Sequence, residues 1–141
     1  MVYQHTIHLD DTDAAGVVYF ARLLSICHYA YEAAIAEAGV SLASLLAEAE
    51  LALPIVEAQI RFLQPLYCGE LITIEVTPKR LGESEFEVLY CVRRAGGDRE
   101  GCENQNRPVS QASTRHVCIN PKTRRRQDLG PTLVAWLGSS S

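Results

Sequence analysis

Between residues 19 and 38 the apolar positions recur at helical spacing. Phe20, Leu23, Leu24, Cys27, Tyr31, Ala34, Ile35 and Ala38 follow the i, i+3, i+4, i+7 rule and form one stripe, with Arg22, Ser25 and Glu32 on the other side. The pattern predicts one long helix over 19–38, and Gly39 supplies its C-terminal stop. A second, shorter helix is predicted over 41–50, with Ser41 as its cap. From Leu53 onward the period changes to two. Val56, Ala58, Ile60 and Phe62 alternate with Glu57, Gln59 and Arg61 until Pro65, and Ile72, Ile74 and Val76 alternate with Thr73, Glu75 and Thr77. Phe86, Val88, Tyr90 and Val92 then alternate with Glu85, Glu87 and Arg93, and a last strand runs over about 109–119. With residues 2–9 as an edge strand, the order is β-α-(α)-β-β-β-β. This is an α+β arrangement, about five antiparallel strands against one long helix. One sheet face must cover that helix, which leaves the other to solvent or to a partner.

Loops are predicted over 96–107 and from Asn120 onward, where Pro121, Pro131 and the closing Gly-Ser-Ser-Ser mark loosening order. The chain therefore divides into one domain over 1–120 and a basic, partly flexible tail over 121–141. A length of 141 residues suits a single domain with a real core. No apolar run is long enough to cross a membrane. The opening "MVYQHTIHLDD" lacks the charged head and continuous apolar stretch of a secretory signal. The five cysteines are scattered with no CxxC pair, which points to reduced thiols and a cytoplasmic protein rather than a disulfide framework.

A net charge of −4 argues against nucleic-acid binding. The charge is uneven, however. Residues 115–126 hold Arg115, Lys122, Arg124, Arg125 and Arg126 and no acid, so the rest of the chain carries about −9. A local basic patch on an acidic protein suits a small anionic ligand better than a long polyanion. His5 and His8 are expected on opposite faces of a strand, and His116 has no evident ligand partners, so no metal is expected. Cys27 and His28 are neighbours on a helix and point about a quarter turn apart, so they cannot form a nucleophile–base pair.

The concentrated chemistry lies in "DDTDAAGVVYF", residues 10–20. Helix-start N–H groups are unpaired and favour an anion, so capping is the plain explanation for an acid ahead of a helix. Yet Asp13 precedes the apolar stripe by too many residues to be a simple cap. The intervening Ala14-Ala15-Gly16 has little bulk and lets a ligand approach the backbone, and residues 17–20 are apolar and border a partly dry cleft. A carboxylate beside free helix N–H donors is a base or nucleophile next to an oxyanion hole.

These residues carry a resemblance. "DTDAAGVVYFARLL", "ALPIVEAQIRFLQPLYCGELITIEV" and "STRHVCINP" resemble, in that order and over roughly residues 3–120, the hotdog-fold acyl-CoA thioesterases of the 4-hydroxybenzoyl-CoA thioesterase family. The resemblance implies a single hotdog domain, its sheet wrapped around the long helix. It implies that Asp13 is the catalytic carboxylate, attacking the thioester carbonyl or activating a water, and that the Phe20 backbone N–H is the oxyanion donor. A thiolate leaves readily, so one carboxylate and a pair of donors suffice and no cofactor is expected. Asp10 and Asp11 are left to cap, to be solvated or to position, with no catalytic role. The family pairs two subunits edge to edge with the sites at the interface, so a homodimer or homotetramer is implied. Gly16, Val17, Tyr19, Leu53 and Tyr67 are expected around the acyl group. The turn at residues 81–84 lacks a basic run, so the coenzyme A phosphates are expected at Lys79 and Arg80 or at the tail's Lys122, Arg124, Arg125 and Arg126.

Within the family, "CHYAYEA", "ALPIV", "YCGE" and "RHVCI" look most like the branch that hydrolyses 1,4-dihydroxy-2-naphthoyl-CoA for phylloquinone and menaquinone synthesis in photosynthetic bacteria. A generalist short-chain or aroyl-CoA thioesterase is the near alternative. A hotdog dehydratase would need a histidine near Asp13, and a non-catalytic acyl-CoA-binding hotdog would bind without turnover. Glu57 invites comparison with hotdogs that use a central glutamate, but with the Asp motif present it is expected to point outward from its strand.

Overall fold

In the computed structural model, which describes residues 1–48, 51–95 and 107–139, the helical stripe becomes α1 (Phe20–Glu37). Leu23, Ile26, Cys27, Ala30, Tyr31, Ala34 and Ile35 are buried along it, and Gly39 follows with φ +85°, the left-handed conformation that ends a helix. Phe20 belongs to the stripe by spacing yet is 57% exposed, because the first turn of α1 projects past the core. The shorter helix α2 (Leu42–Glu48) starts after Ser41, whose Oγ accepts the Ser44 N–H at 3.3 Å. The last two residues of its predicted span lie outside the described residues.

The strands are β1 (Val2–Thr6), β2 (Ile55–Phe62), β3 (Leu71–Arg80), β4 (Glu85–Arg94) and β5 (Ser110–Val117). They form one antiparallel sheet in the order β1-β3-β4-β5-β2. Register explains the core. Ile74 pairs with Val92, Val76 with Tyr90 and Tyr90 with Ala112, so alternate residues of three strands stack on the face that packs α1. Pro78 is tolerated inside β3 because β1 pairing stops at Val2↔Glu75, leaving that part of β3 as a free edge. β2 forms the opposite edge and is exposed or half-buried along its whole length.

One expectation is corrected. Residues 121–141 are not simply a loose tail. Asn120 Oδ1 accepts the Lys122 and Thr123 N–H groups, and the Gln127 N–H donates to the Cys118 carbonyl. The chain then enters α3 (Gly130–Ser139), where Leu133, Trp136 and Leu137, with Leu129 just before, are buried in the same core as α1. The physical reason is an apolar stripe at helical spacing, opened by Pro131 in the first turn, where a missing N–H costs nothing. A boundary at 120 therefore cuts through a single core. Most of the loop predicted over 96–107 lies outside the described residues. No described helix is long and apolar enough to cross a membrane.

Candidate active site

After β1 the chain makes a 3-10 turn (Leu9–Asp11) and then a tight loop back to α1. Across that loop Thr12 bridges to Val18, the Asp13 N–H donates to the Val17 carbonyl at 2.9 Å, and the Gly16 N–H donates to the Asp13 carbonyl at 3.0 Å. Gly16 has φ +82°, a conformation costly for any residue with a side chain, so the turn needs glycine here. A second segment holds the loop from outside. The Val18 N–H donates to the Leu66 carbonyl at 2.8 Å, and Val17 bridges to Tyr67. Arg94 fixes that segment in turn, donating to Gln64 Oε1, the Pro65 carbonyl and Glu70 Oε2, while Glu70 Oε1 accepts the Tyr67 N–H.

Between the two segments lies a cavity of about 420 Å³. Asp13, Val17, Tyr19 and Phe20 form one wall, and Phe62, Pro65 and Leu66 form the other. The Tyr19 and Phe20 rings meet edge to face at 4.8 Å, giving the mouth an aromatic wall. Asp13 Oδ1 accepts the Ala15 N–H at 2.8 Å, and Oδ2 has no hydrogen-bond partner among the described residues. The N–H groups of Phe20 and Ala21 likewise donate to no group among the described residues, whereas the Tyr19 N–H is taken by the Asp11 carbonyl at 2.8 Å. Asp13 and Phe20, at the start of α1, thus line the same apolar cavity. Chemically, that can hold a carbonyl for attack while stabilising the oxyanion that develops.

Asp11 is the neighbour the sequence left without a defined task. It is 1% exposed. Its Oδ1 accepts Arg22 Nε–H at 2.7 Å, and its Oδ2 accepts the His8 N–H at 2.9 Å and meets His5 Nε2 at 3.0 Å. Burial alone would raise its pKa, but the hydrogen bonds from Arg22, His5 and His8 outweigh it and hold the value at about 2. His5 and His8 do not sit on opposite strand faces. β1 ends at Thr6, the chain turns, and the two rings lie 5.4 Å apart.

Of the residues expected around substrate, the structure gathers Asp13, Gly16, Val17, Tyr19 and Phe20, with Tyr67 bridged to Val17. Leu53 is elsewhere: it packs against the main core, because residues 51–54 run beside β5 rather than toward the loop. Within one chain Lys79 and Arg80 are also distant. β3 begins at Leu71 opposite Thr6, and eight further residues at 3.3 Å each carry Lys79 about 26 Å away. Arg124 and Arg125 belong to the hydrogen-bonded turn after β5, at that same far end, where Arg126 reaches Glu85 at 3.6 Å. Glu57 is exposed, accepting Gln59 Nε2 at 2.9 Å and pairing with Arg115 at 3.5 Å. Cys27 is fully buried and burial pushes its thiol up to about 12, which fits packing and not nucleophilic chemistry. His116 is also fully buried, stacked on Phe86 at 4.7 Å, with its pKa lowered to about 4 chiefly by burial. Among the described residues no three His, Cys, Asp or Glu side chains cluster as metal ligands.

Known proteins resemble this chain over nearly its whole length. A protein of Crocosphaera subtropica named 1,4-dihydroxy-2-naphthoyl-CoA hydrolase is 46% identical over 140 residues, covering 99% of this chain and 97% of its own. One of the same name from Rippkaea orientalis is 47% identical, covering 98% and 95%. The crystal structure of a 1,4-dihydroxy-2-naphthoyl-CoA thioesterase from Synechocystis superposes with a TM-score of 0.86 at 31% identity, over 97% of this chain and 94% of that one. A thioesterase-fold structure from Prochlorococcus marinus gives 0.87 at 30%, over 99% and 95%. The sequence profile of the thioesterase-like superfamily matches residues 7–137, a span that takes in β2 to β5, the Asp13 loop, α1 and most of α3. With that span and this five-stranded sheet around one helix, the chain belongs to the thioesterase-like superfamily and has the hotdog fold.

Proposed function

We propose that the protein hydrolyses 1,4-dihydroxy-2-naphthoyl-CoA to 1,4-dihydroxy-2-naphthoate and coenzyme A, a step of phylloquinone or menaquinone synthesis. The observation that carries the reading is Asp13, whose Oδ2 has no partner among the described residues, set at an apolar cavity beside the start of α1, where the Phe20 and Ala21 N–H groups donate to no group among the described residues. In this reading the thioester carbonyl oxygen lies at those N–H groups. Asp13 attacks the carbonyl carbon, giving a mixed anhydride that water then opens, or takes a proton from the water that attacks. On either route the tetrahedral oxyanion collapses, the C–S bond breaks and coenzyme A leaves as thiolate. The substrate assignment rests on the full-length relatives of that name, and the aromatic cavity mouth suits a flat acyl group.

The active form in this proposal is a cytoplasmic homodimer, or a tetramer built from it, joined through β2. That strand is an exposed edge with Ile55, Val56 and Phe62 uncovered. Antiparallel pairing of two β2 strands about a twofold axis sets the Ile55 end of one copy beside the Phe62 end of the other. The basic turn holding Arg124 and Arg125 in one copy is thereby carried toward the Asp13 cavity of the next, which gives those cations a route to the coenzyme A phosphates. The unpaired thiols of Cys27, Cys68, Cys91 and Cys118 fit a reducing compartment.

The test is thiol release from 1,4-dihydroxy-2-naphthoyl-CoA, benzoyl-CoA and a short aliphatic acyl-CoA, with sedimentation of the same preparation. The expected kcat/KM for the naphthoyl substrate exceeds the aliphatic one by about 100-fold or more, at dimer or tetramer mass. Equal values for all three would make the protein a generalist thioesterase. Binding without release would make it an acyl-CoA-binding protein, and a fully active monomer would remove the second copy from the site.

A further inference from the structure

We propose that Asp11 is a positioning residue for thioester cleavage: its buried carboxylate joins β1, the 3-10 turn and α1 at the point where the chain sets Asp13 against the start of α1. The inference rests on the roles proposed above for Asp13 and the Phe20 N–H.

Three donors from three different places converge on this one side chain. His5 comes from β1, the His8 N–H from the 3-10 turn and Arg22 from the first turn of α1. The Asp11 main chain adds a fourth tie, since its carbonyl accepts the N–H of Tyr19, the residue immediately before the proposed oxyanion donor. Two residues after Asp11 comes Asp13 itself. Both ends of the 12–18 loop are therefore referred to Asp11: the end that carries the reactive carboxylate and the end that opens the helix.

The carboxylate does not cap α1, since it touches no backbone N–H of that helix. It grips the helix through the Arg22 side chain and the sheet through His5. This arrangement fixes how the first turn of α1 is oriented over the sheet, and with it the direction of the Phe20 and Ala21 donors. Arg22 is further steadied by Asp10 at 3.7 Å. Displacing reacting groups by about 1 Å can cost about 100-fold in rate, so a tie that sets this separation acts on kcat without touching substrate.

Asp11→Asn keeps the shape but has only one acceptor oxygen for donors that now occupy two. It is expected to lower kcat by about 30- to 100-fold per folded molecule, with KM for 1,4-dihydroxy-2-naphthoyl-CoA changed by less than about 3-fold. His5 gives a second series that leaves the buried acid in place. His5→Leu removes one donor and is expected to lower kcat by about 10-fold, while His5→Gln restores an N–H and is expected within about 3-fold of wild type. Folded fraction is measured by circular dichroism at the assay temperature, and Asp13→Asn is assayed alongside. A purely structural Asp11 predicts losses that vanish once rates are divided by folded fraction, and no difference between the two His5 variants. Either result overturns the proposal. If Asp13→Asn is inactive while folded Asp11→Asn works at the wild-type rate, this inference alone fails. If Asp13→Asn is itself active, the site reading fails and this inference falls with it.

Discussion

Asp13→Asn is expected to lower the rate of thiol release from 1,4-dihydroxy-2-naphthoyl-CoA by about 1000-fold or more while leaving the fold intact. The two halves of that expectation have separate grounds. An amide is neither a base nor a nucleophile at neutral pH, so both proposed routes through the carboxylate close together. A 1000-fold loss corresponds to about 4 kcal/mol of transition-state stabilisation. The residual rate comes from what the substitution leaves behind, namely the cavity and the Phe20 and Ala21 donors. Stability should barely move, because the Asp13 side chain is exposed and its one hydrogen bond among the described residues, from the Ala15 N–H to Oδ1, can equally be accepted by an asparagine oxygen. Steady-state thiol release beside a thermal melt checks both. A folded variant turning over at the wild-type rate would remove Asp13 from the chemistry.

The largest expected effect on stability comes from the far end of the chain. Trp136→Ala should destabilise the protein by about 3–5 kcal/mol. Trp136 is 4% exposed and meets Phe86 edge to face at 5.8 Å and Tyr31 at 6.1 Å. Phe86 and Tyr31 are themselves buried, on β4 and α1, so the indole closes the core where sheet and central helix meet. Truncation would leave a cavity among rigid aromatic neighbours that cannot collapse into it, which places the cost in the upper range for core substitutions. A domain of this size has about 5–15 kcal/mol of stability in all, so the variant should unfold at clearly lower urea concentration. An unchanged unfolding midpoint would mean that α3 is dispensable and that the chain after residue 120 is a tail.

What was legible in the sequence follows from which interactions are local. The stripe of α1 and the alternations of β3 and β4 are periodic signals each written within one segment, and all three elements appear nearly where the pattern put them. The Asp13 loop was legible for a similar reason: carboxylate, small residues, glycine and helix start fall within eight consecutive positions. α3 was missed because Gly130-Pro131 and the terminal Gly-Ser run read as loosening, although Leu129, Leu133, Trp136 and Leu137 carry helical spacing between them. Asp11 was left to cap, to be solvated or to position, without a choice among these, because two of its partners are six residues back and eleven ahead, too far for a local pattern to single it out. His5 and His8 were misread because odd spacing separates faces only while the strand continues, and β1 stops between them. Lys79, Arg80, Arg124 and Arg125 were grouped with the site by charge alone. Register places them at the opposite end of the sheet in a single chain, so only a second copy could return them to it.

In the proposed reaction this chain splits one particular thioester at Asp13. That reaction is tested most directly by chromatographic quantification of both products from 1,4-dihydroxy-2-naphthoyl-CoA, with wild type and Asp13→Asn run side by side. Free coenzyme A and 1,4-dihydroxy-2-naphthoate should accumulate in equal amounts over many turnovers with wild type, and both should form about 1000-fold or more slowly with the variant. Failure of wild type to release the naphthoate, or release by Asp13→Asn at the wild-type rate, would contradict the account.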